Sequence, residues 1–153
     1  MDTLSKVWFD SEKHKEKRHI SWEEYCGLIN EICDKIKEKN AKYKYITGIP
    51  RGGSVAALLM SYILDVPYMD YANCVFYSIL SEDPITVSGG LIVDDLIDSG
   101  KTLSGISDSI ASSNADIAIL IKKHPCDIDI RYKYCAVTVP RDLWIVFPYE
   151  TEV

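Results

Sequence analysis

Gly90-Leu91-Ile92-Val93-Asp94-Asp95-Leu96-Ile97-Asp98-Ser99-Gly100-Lys101-Thr102 is the stretch on which the reading of the fold turns. Leu91-Ile92-Val93 is an apolar run of strand type that leads straight into two consecutive carboxylates, Asp94 and Asp95. Carboxylates directly after a buried strand are costly unless they bind hydroxyls, a cation or hydrogen-bond donors. Asp98 to Thr102 reads as a strand-to-helix turn with successive amides, a hydroxyl and a helix start, the parts of a phosphate cradle. Leu103, Ile106 and Ile110 give the helix that follows its inner face. The plainer alternative is a capped helix with an acidic first turn, against which the density of features argues. Carboxylates beside a phosphate cradle make sense where a sugar phosphate and Mg²⁺ bind together.

Two rival motifs fail at these residues. Gly100-Lys101-Thr102 matches the end of a Walker A loop, but that motif needs glycine where Asp95 stands. Asp94-Asp95-x-x-Asp98 matches an aspartate-rich isoprenoid box, which belongs to large all-helical proteins, whereas here it follows a strand.

Upstream, the same strand–turn–helix grammar recurs. Tyr45 to Ile49 predicts a short buried strand, Pro50-Arg51-Gly52-Gly53-Ser54 a turn, and Val55 to Leu64 a mostly buried helix closed before Val66-Pro67. The glycines let backbone approach a ligand, and Arg51 offers a planar donor fork for phosphate oxygens. A glycine turn with a surface arginine is an equal reading of that segment by itself. Before it, Ser21 and Glu24 form a capping box with Ile20 set to staple on Tyr25. Trp22, Tyr25, Cys26, Ile29, Ile32, Cys33 and Ile36 then make one core-facing apolar stripe. Asn73 to Leu80 is strand-like, Ser81-Glu82-Asp83-Pro84 a turn and Ile85 to Ser88 a hairpin return. Ile117 to Ile121 and Lys133 to Val139 read as the last two strands. Strand and helix alternate, so the expected class is α/β with a mainly parallel central sheet flanked by helices, which gathers ligands at the carboxyl ends of its strands.

Composition bounds the partners. The 153 residues suit one domain able to bury its own core. Net charge is −6, which disfavours nucleic acid bound by broad phosphate neutralisation. The longest apolar run, Val55 to Met60, is too short for an integral membrane segment, and the polar start reads as no signal peptide. Five cysteines without a C-x-x-C pair point away from disulfides or zinc and towards a reducing cytoplasm. Lys13, Lys15, Lys17 and Arg18 read as a solvated basic face.

On these residues a resemblance can be stated. Leu91 to Thr102 resembles the signature of type I phosphoribosyltransferases, which bind 5-phosphoribosyl-1-pyrophosphate (PRPP), and Pro50-Arg51-Gly52-Gly53 resembles their pyrophosphate loop. Val139 to Glu150 is similar to the hood of the bacterial xanthine-guanine and hypoxanthine members. The likeness spans about Ile20 to Glu150 and leaves Met1 to His19 as a polar N-terminal extension.

The resemblance implies the type I phosphoribosyltransferase fold with a small C-terminal hood from about Val139 to Glu150, and a role for each matching residue. Asp94 and Asp95 match the pair that holds the ribose hydroxyls and organises Mg²⁺, and Asp98 the aspartate proposed to handle the proton at purine N7. Ser99, Gly100, Lys101 and Thr102 match the loop around the 5′-phosphate. Arg51 and Gly52 match the pyrophosphate loop, in which the family often carries a non-proline cis peptide, here Pro50-Arg51. Trp144 matches the aromatic that stacks on the base, with the Ile145 backbone near its exocyclic group, and Lys123 (or Lys122, one step off) the lysine that reads the 6-oxo group. From the residues by themselves, a core tryptophan is the lesser alternative for Trp144, and a solvated lysine an equal one for Lys123.

Two departures stand out. The family's mobile loop would fall at Ser81 to Ser88, which is short and acidic, and no Lys or Arg occurs from Asp70 to Gly90, leaving Tyr77, Ser78 or Ser81 to contribute. Lys101 stands where xanthine-guanine enzymes often have glycine and hypoxanthine-guanine relatives have lysine, so base preference stays open. The expected function is a Mg²⁺-dependent purine phosphoribosyltransferase acting on PRPP and a 6-oxopurine, as a homodimer or homotetramer. Its alternatives are a PRPP- or nucleotide-binding regulator on the same fold and a transferase for a non-purine base.

Overall fold

The computed structural model describes residues 17–74, 89–105 and 115–150. The expected hairpin at 81–88, Tyr77, Ser78, and helix positions Ile106 and Ile110 lie outside them. A four-stranded parallel sheet forms the centre, in the order β2 (Tyr45–Gly48), β3 (Gly90–Ile97), β4 (Asp116–His124), β5 (Tyr134–Pro140). Helices α1 (Trp22–Glu38) and α2 (Gly52–Leu64) carry the main core with it. The strand residues alternate between two clusters, as a period of two requires: Leu91 and Val93 join the helices, Ile92 joins Ile49, Leu103 and Ile130. The α/β class with parallel strands is thus as expected.

The capping box is present: the Ser21 Oγ accepts the Glu24 N–H at 3.1 Å and Glu24 Oε2 accepts the Ser21 N–H at 2.9 Å. The buried stripe is Tyr25, Leu28, Ile29, Ile32, Cys33 and Ile36; Trp22 and Cys26, read into it from sequence, are exposed. The stripe is narrower than expected because successive contacts follow 25, 28/29, 32/33 and 36, the seam that faces the sheet.

Three boundaries differ from the sequence reading. α2 starts at Gly52 rather than Val55, since both glycines lie against the sheet: a Cβ on Gly53 would stand 2.5 Å from the Val93 carbonyl oxygen. Asn73 and Cys74, expected to open a strand, are helical, with the Asp70 carboxylate accepting the Ala72 N–H at 2.9 Å as a local cap. Lys133 to Val139 does not hold the last strand. A further strand, β6 (Trp144–Val146), pairs in parallel with β1 (Lys17–His19), so Lys17 lies opposite Trp144 and Arg18 opposite Ile145. Arg18, read as part of a solvated face, bonds Glu24 at 2.5 Å and so ties β1 to the start of α1.

Candidate functional site

A cleft of about 1050 Å³ opens at the carboxyl ends of β2, β3 and β4, roofed by β6 and the residues after it. Arg51, Gly52, Asp95, Asp98, Lys123, Trp144 and Ile145, singled out from sequence on four separate segments, all line it. Asp94, Ser99, Gly100, Lys101 and Thr102 are not among its lining residues; they follow the same strand and its turn.

The acidic pair sits within β3, not beyond its end. Pairing continues through Leu96↔Ile121 to Ile97↔Lys122, because Leu96 and Ile97 resume the apolar pattern and β4 runs on to His124. Asp94 is consequently buried, 6% exposed, with Oδ1 accepting the Asp95 N–H at 2.9 Å. Burial first, and the neighbouring Asp95 charge second, push its carboxyl well above the usual carboxylate range. Asp95 accepts a short hydrogen bond from the Tyr149 hydroxyl, and burial together with that bond drives the phenol's pKa up. Gly52 closes on this junction: a Cβ there would overlap the Asp95 carboxylate.

In the next turn Asp98, Lys101 and Thr102 are exposed, Ser99 is half-buried and Gly100 is buried. Gly100 has φ +83°, with Ile128 and Ile130 filling the space a Cβ would take, and residues 101–105 are helical. The Ser99 Oγ accepts the Lys101 N–H at 3.4 Å, and the Gly100 carbonyl accepts the Ser104 N–H at 2.9 Å. Asp98 projects at the mouth, and Lys123 Nζ approaches its Oδ2 at 3.4 Å. Lys123 is only 6% exposed, so it is no solvated lysine; its neighbour Lys122 lies over the Tyr132 ring at 4.8 Å. Trp144 is 61% exposed and lines the cleft, which removes the core reading. The Pro50-Arg51 peptide is cis, as the resemblance implied.

Some lining residues had not been singled out. Lys17 reaches the cleft because β1 pairs with β6, and Tyr149 and Glu150 because the chain turns back after β6, where Glu150 Oε2 accepts the Phe147 N–H at 2.8 Å. The sequence reading puts Lys17 on a solvated basic face and Tyr149 and Glu150 only at the end of the resemblance to the hood, and no local pattern assigns any of the three to the cleft.

Among the described residues no group of three or more His, Cys, Asp and Glu side chains converges to cage a metal. Asp94 and Asp95 do offer the sparse oxygen set that Mg²⁺ takes, one or two carboxylates with waters and substrate phosphates completing the shell. A buried carboxylate beside a second one is also a natural place for positive charge. The residues therefore fit the ion.

No protein-family model matches the chain. It is similar to the xanthine-guanine phosphoribosyltransferase of Cereibacter sphaeroides, 28% identical over 152 residues, covering 90% of this chain and 89% of that protein. It is likewise similar to that of Desulfotalea psychrophila, 27% identical, covering 93% and 91%. Among solved structures, a purine phosphoribosyltransferase from Pyrococcus horikoshii superposes with a TM-score of 0.67 at 25% identity, over 90% of this chain and 96% of that one. The resemblance read from the sequence is borne out in both the relatives and the fold.

Proposed function

We infer that the chain is a purine phosphoribosyltransferase of the type I fold, transferring the phosphoribosyl group of PRPP to a 6-oxopurine to give a nucleoside 5′-monophosphate and pyrophosphate. The observation that carries this reading is the meeting, across one cleft, of the Pro50-Arg51-Gly52 loop, the acidic end of β3 and an exposed tryptophan. Departure of pyrophosphate leaves an oxocarbenium-like ribosyl centre, so the protein's work is to position reactants and stabilise charge.

The residues divide that work. The Ser99–Thr102 turn takes the 5′-phosphate on its amides. Asp94 and Asp95 take the ribose hydroxyls, and Arg51 and the Gly52 backbone face the leaving pyrophosphate. Mg²⁺, which this family generally uses, would be held by Asp94 and Asp95 and supplies positive charge to the pyrophosphate oxygens. Trp144 offers its face to the base, with the Ile145 backbone at the base edge. N7 and O6 of a 6-oxopurine share one edge; Asp98 and Lys123, 3.4 Å apart, present an acceptor and a donor side by side to it. In that pose Asp98 takes the base proton as N9 attacks. An amino group at C6 would meet the Lys123 ammonium donor to donor, so adenine is disfavoured.

The exposed Leu58, Tyr62 and Ile63 of α2 offer an apolar face for a second copy, in keeping with a homodimer or homotetramer. Five free cysteines suit a reducing, cytoplasmic setting. No helix among the described residues is long and apolar enough to cross a membrane.

Pyrophosphate release with PRPP, Mg²⁺ and each of guanine, xanthine, hypoxanthine and adenine tests the reading. Turnover with oxo-purines and not with adenine is expected. Asp98→Asn then lowers turnover by about 10²–10⁴-fold while PRPP still binds. PRPP binding without turnover on any base would instead indicate a regulator.

A further inference from the structure

A side-chain contact joins the hood to the ribose end of the cleft. Tyr149, at the end of the hood, donates its hydroxyl proton to Asp95 Oδ2 on β3. Its ring is fixed on three sides: stacked on Phe147 at 5.4 Å and 3°, edge-on to Tyr25 at 5.6 Å, and tilted against Trp22 at 6.4 Å. The neighbouring Tyr25 hydroxyl is buried beside the Tyr149 hydroxyl. A further side of the carboxylate is closed by the Gly52 backbone, where a Cβ would come within 1.7 Å of Oδ2 and 2.7 Å of the Tyr149 oxygen. A carboxylate offers about four lone-pair directions on its two oxygens. The phenol takes one direction on Oδ2 and the Gly52 backbone crowds the same oxygen, so it is the remaining face of the carboxylate that meets a ligand.

We propose that Tyr149 is a positioning residue: its hydroxyl, held by the aromatic cluster of the hood, sets the Asp95 carboxylate to receive the ribose hydroxyls of PRPP, and so links the base side of the cleft to the sugar side. The proposal rests on the phosphoribosyl-transfer reading above. It requires the hydroxyl, whereas a purely structural role requires only the ring.

Tyr149→Phe, Asp95→Asn and the double variant separate these roles, with PRPP binding read by calorimetry in the presence of Mg²⁺ and with a thermal melt of each protein. Tyr149→Phe keeps the stacked ring and is expected to weaken PRPP about tenfold while its Tm stays with the parent's. In the Asp95→Asn background the same change is expected to cost nothing further, since its effect runs through that carboxylate. A loss of packing would appear in both backgrounds. Equal losses in the two backgrounds, or PRPP bound as tightly or more tightly by Tyr149→Phe, overturn the proposal. A parent protein that fails to bind PRPP at all sinks the transfer reading and the positioning role with it.

Discussion

The two walls of the cleft are built by different means. On the sheet side, backbone lies directly on backbone: a Cβ on Gly48 would stand 2.2 Å from the Gly53 carbonyl oxygen, and one on Gly53 2.5 Å from that of Val93. On the hood side, the wall is made of rings, with Phe147 stacked on Tyr149, Tyr25 edge-on behind them, and Trp144 standing clear in solvent. A wall of touching backbone cannot give by even one methyl group. A wall of rings divides its labour, the inner rings packing and the outer one left free for a ligand.

That contrast can be broken at its stiffest point. Gly48→Ala places a Cβ against backbone that has nowhere to go, and overpacking of this kind costs about 3 kcal/mol. A Tm about 10 °C below the parent's is expected by calorimetry; a melt within a degree or two of the parent's would show that the β2–α2 junction yields, and would end the distinction between the walls. Trp144→Ala probes the other side. The indole is exposed, so the Tm is expected to stay put, while the lost stacking face costs about 1–3 kcal/mol of base binding and raises the KM for guanine about tenfold with the KM for PRPP little changed. A fall in Tm would mean that Trp144 supports the hood rather than the ligand.

The same contrast explains what could be read in advance. The sheet wall was legible because its requirements are local: glycines after a strand and consecutive aspartates in an apolar run are each visible within a few residues. The hood wall depends on contacts distant in the chain. Tyr149 meets Asp95 across 54 positions, and β1 meets β6 only because Lys17 and Trp144 are brought into register near opposite ends of the sequence. No periodicity announces such meetings. The placement of Asp94 and Asp95 inside β3 was missed for a related reason: polar residues suggest a strand end, yet the ladder to β4 holds them there.

Asp94 gives the effect whose sign separates ligand binding from stability. Its carboxyl is pushed up by burial and then by Asp95, so the folded chain holds the Asp94 proton more tightly than the unfolded chain does. Below the ordinary carboxylate range both states carry the proton and Asp94 costs the fold nothing. As pH rises through that range towards the raised folded value, the unfolded chain releases the proton first and stability is lost. Asp94→Asn removes the ionisable proton and keeps an oxygen able to accept the Asp95 N–H. The Tm of the variant, measured with chelator present, is therefore expected to match the parent's near about pH 4 and to exceed it by a growing margin up to about pH 8, even as PRPP binding is weakened. A margin that shrinks with rising pH would mean that the Asp94 carboxylate is already stabilised as an anion in the ligand-free protein, and that the sheet wall does not bear the charge it is built to offer a ligand.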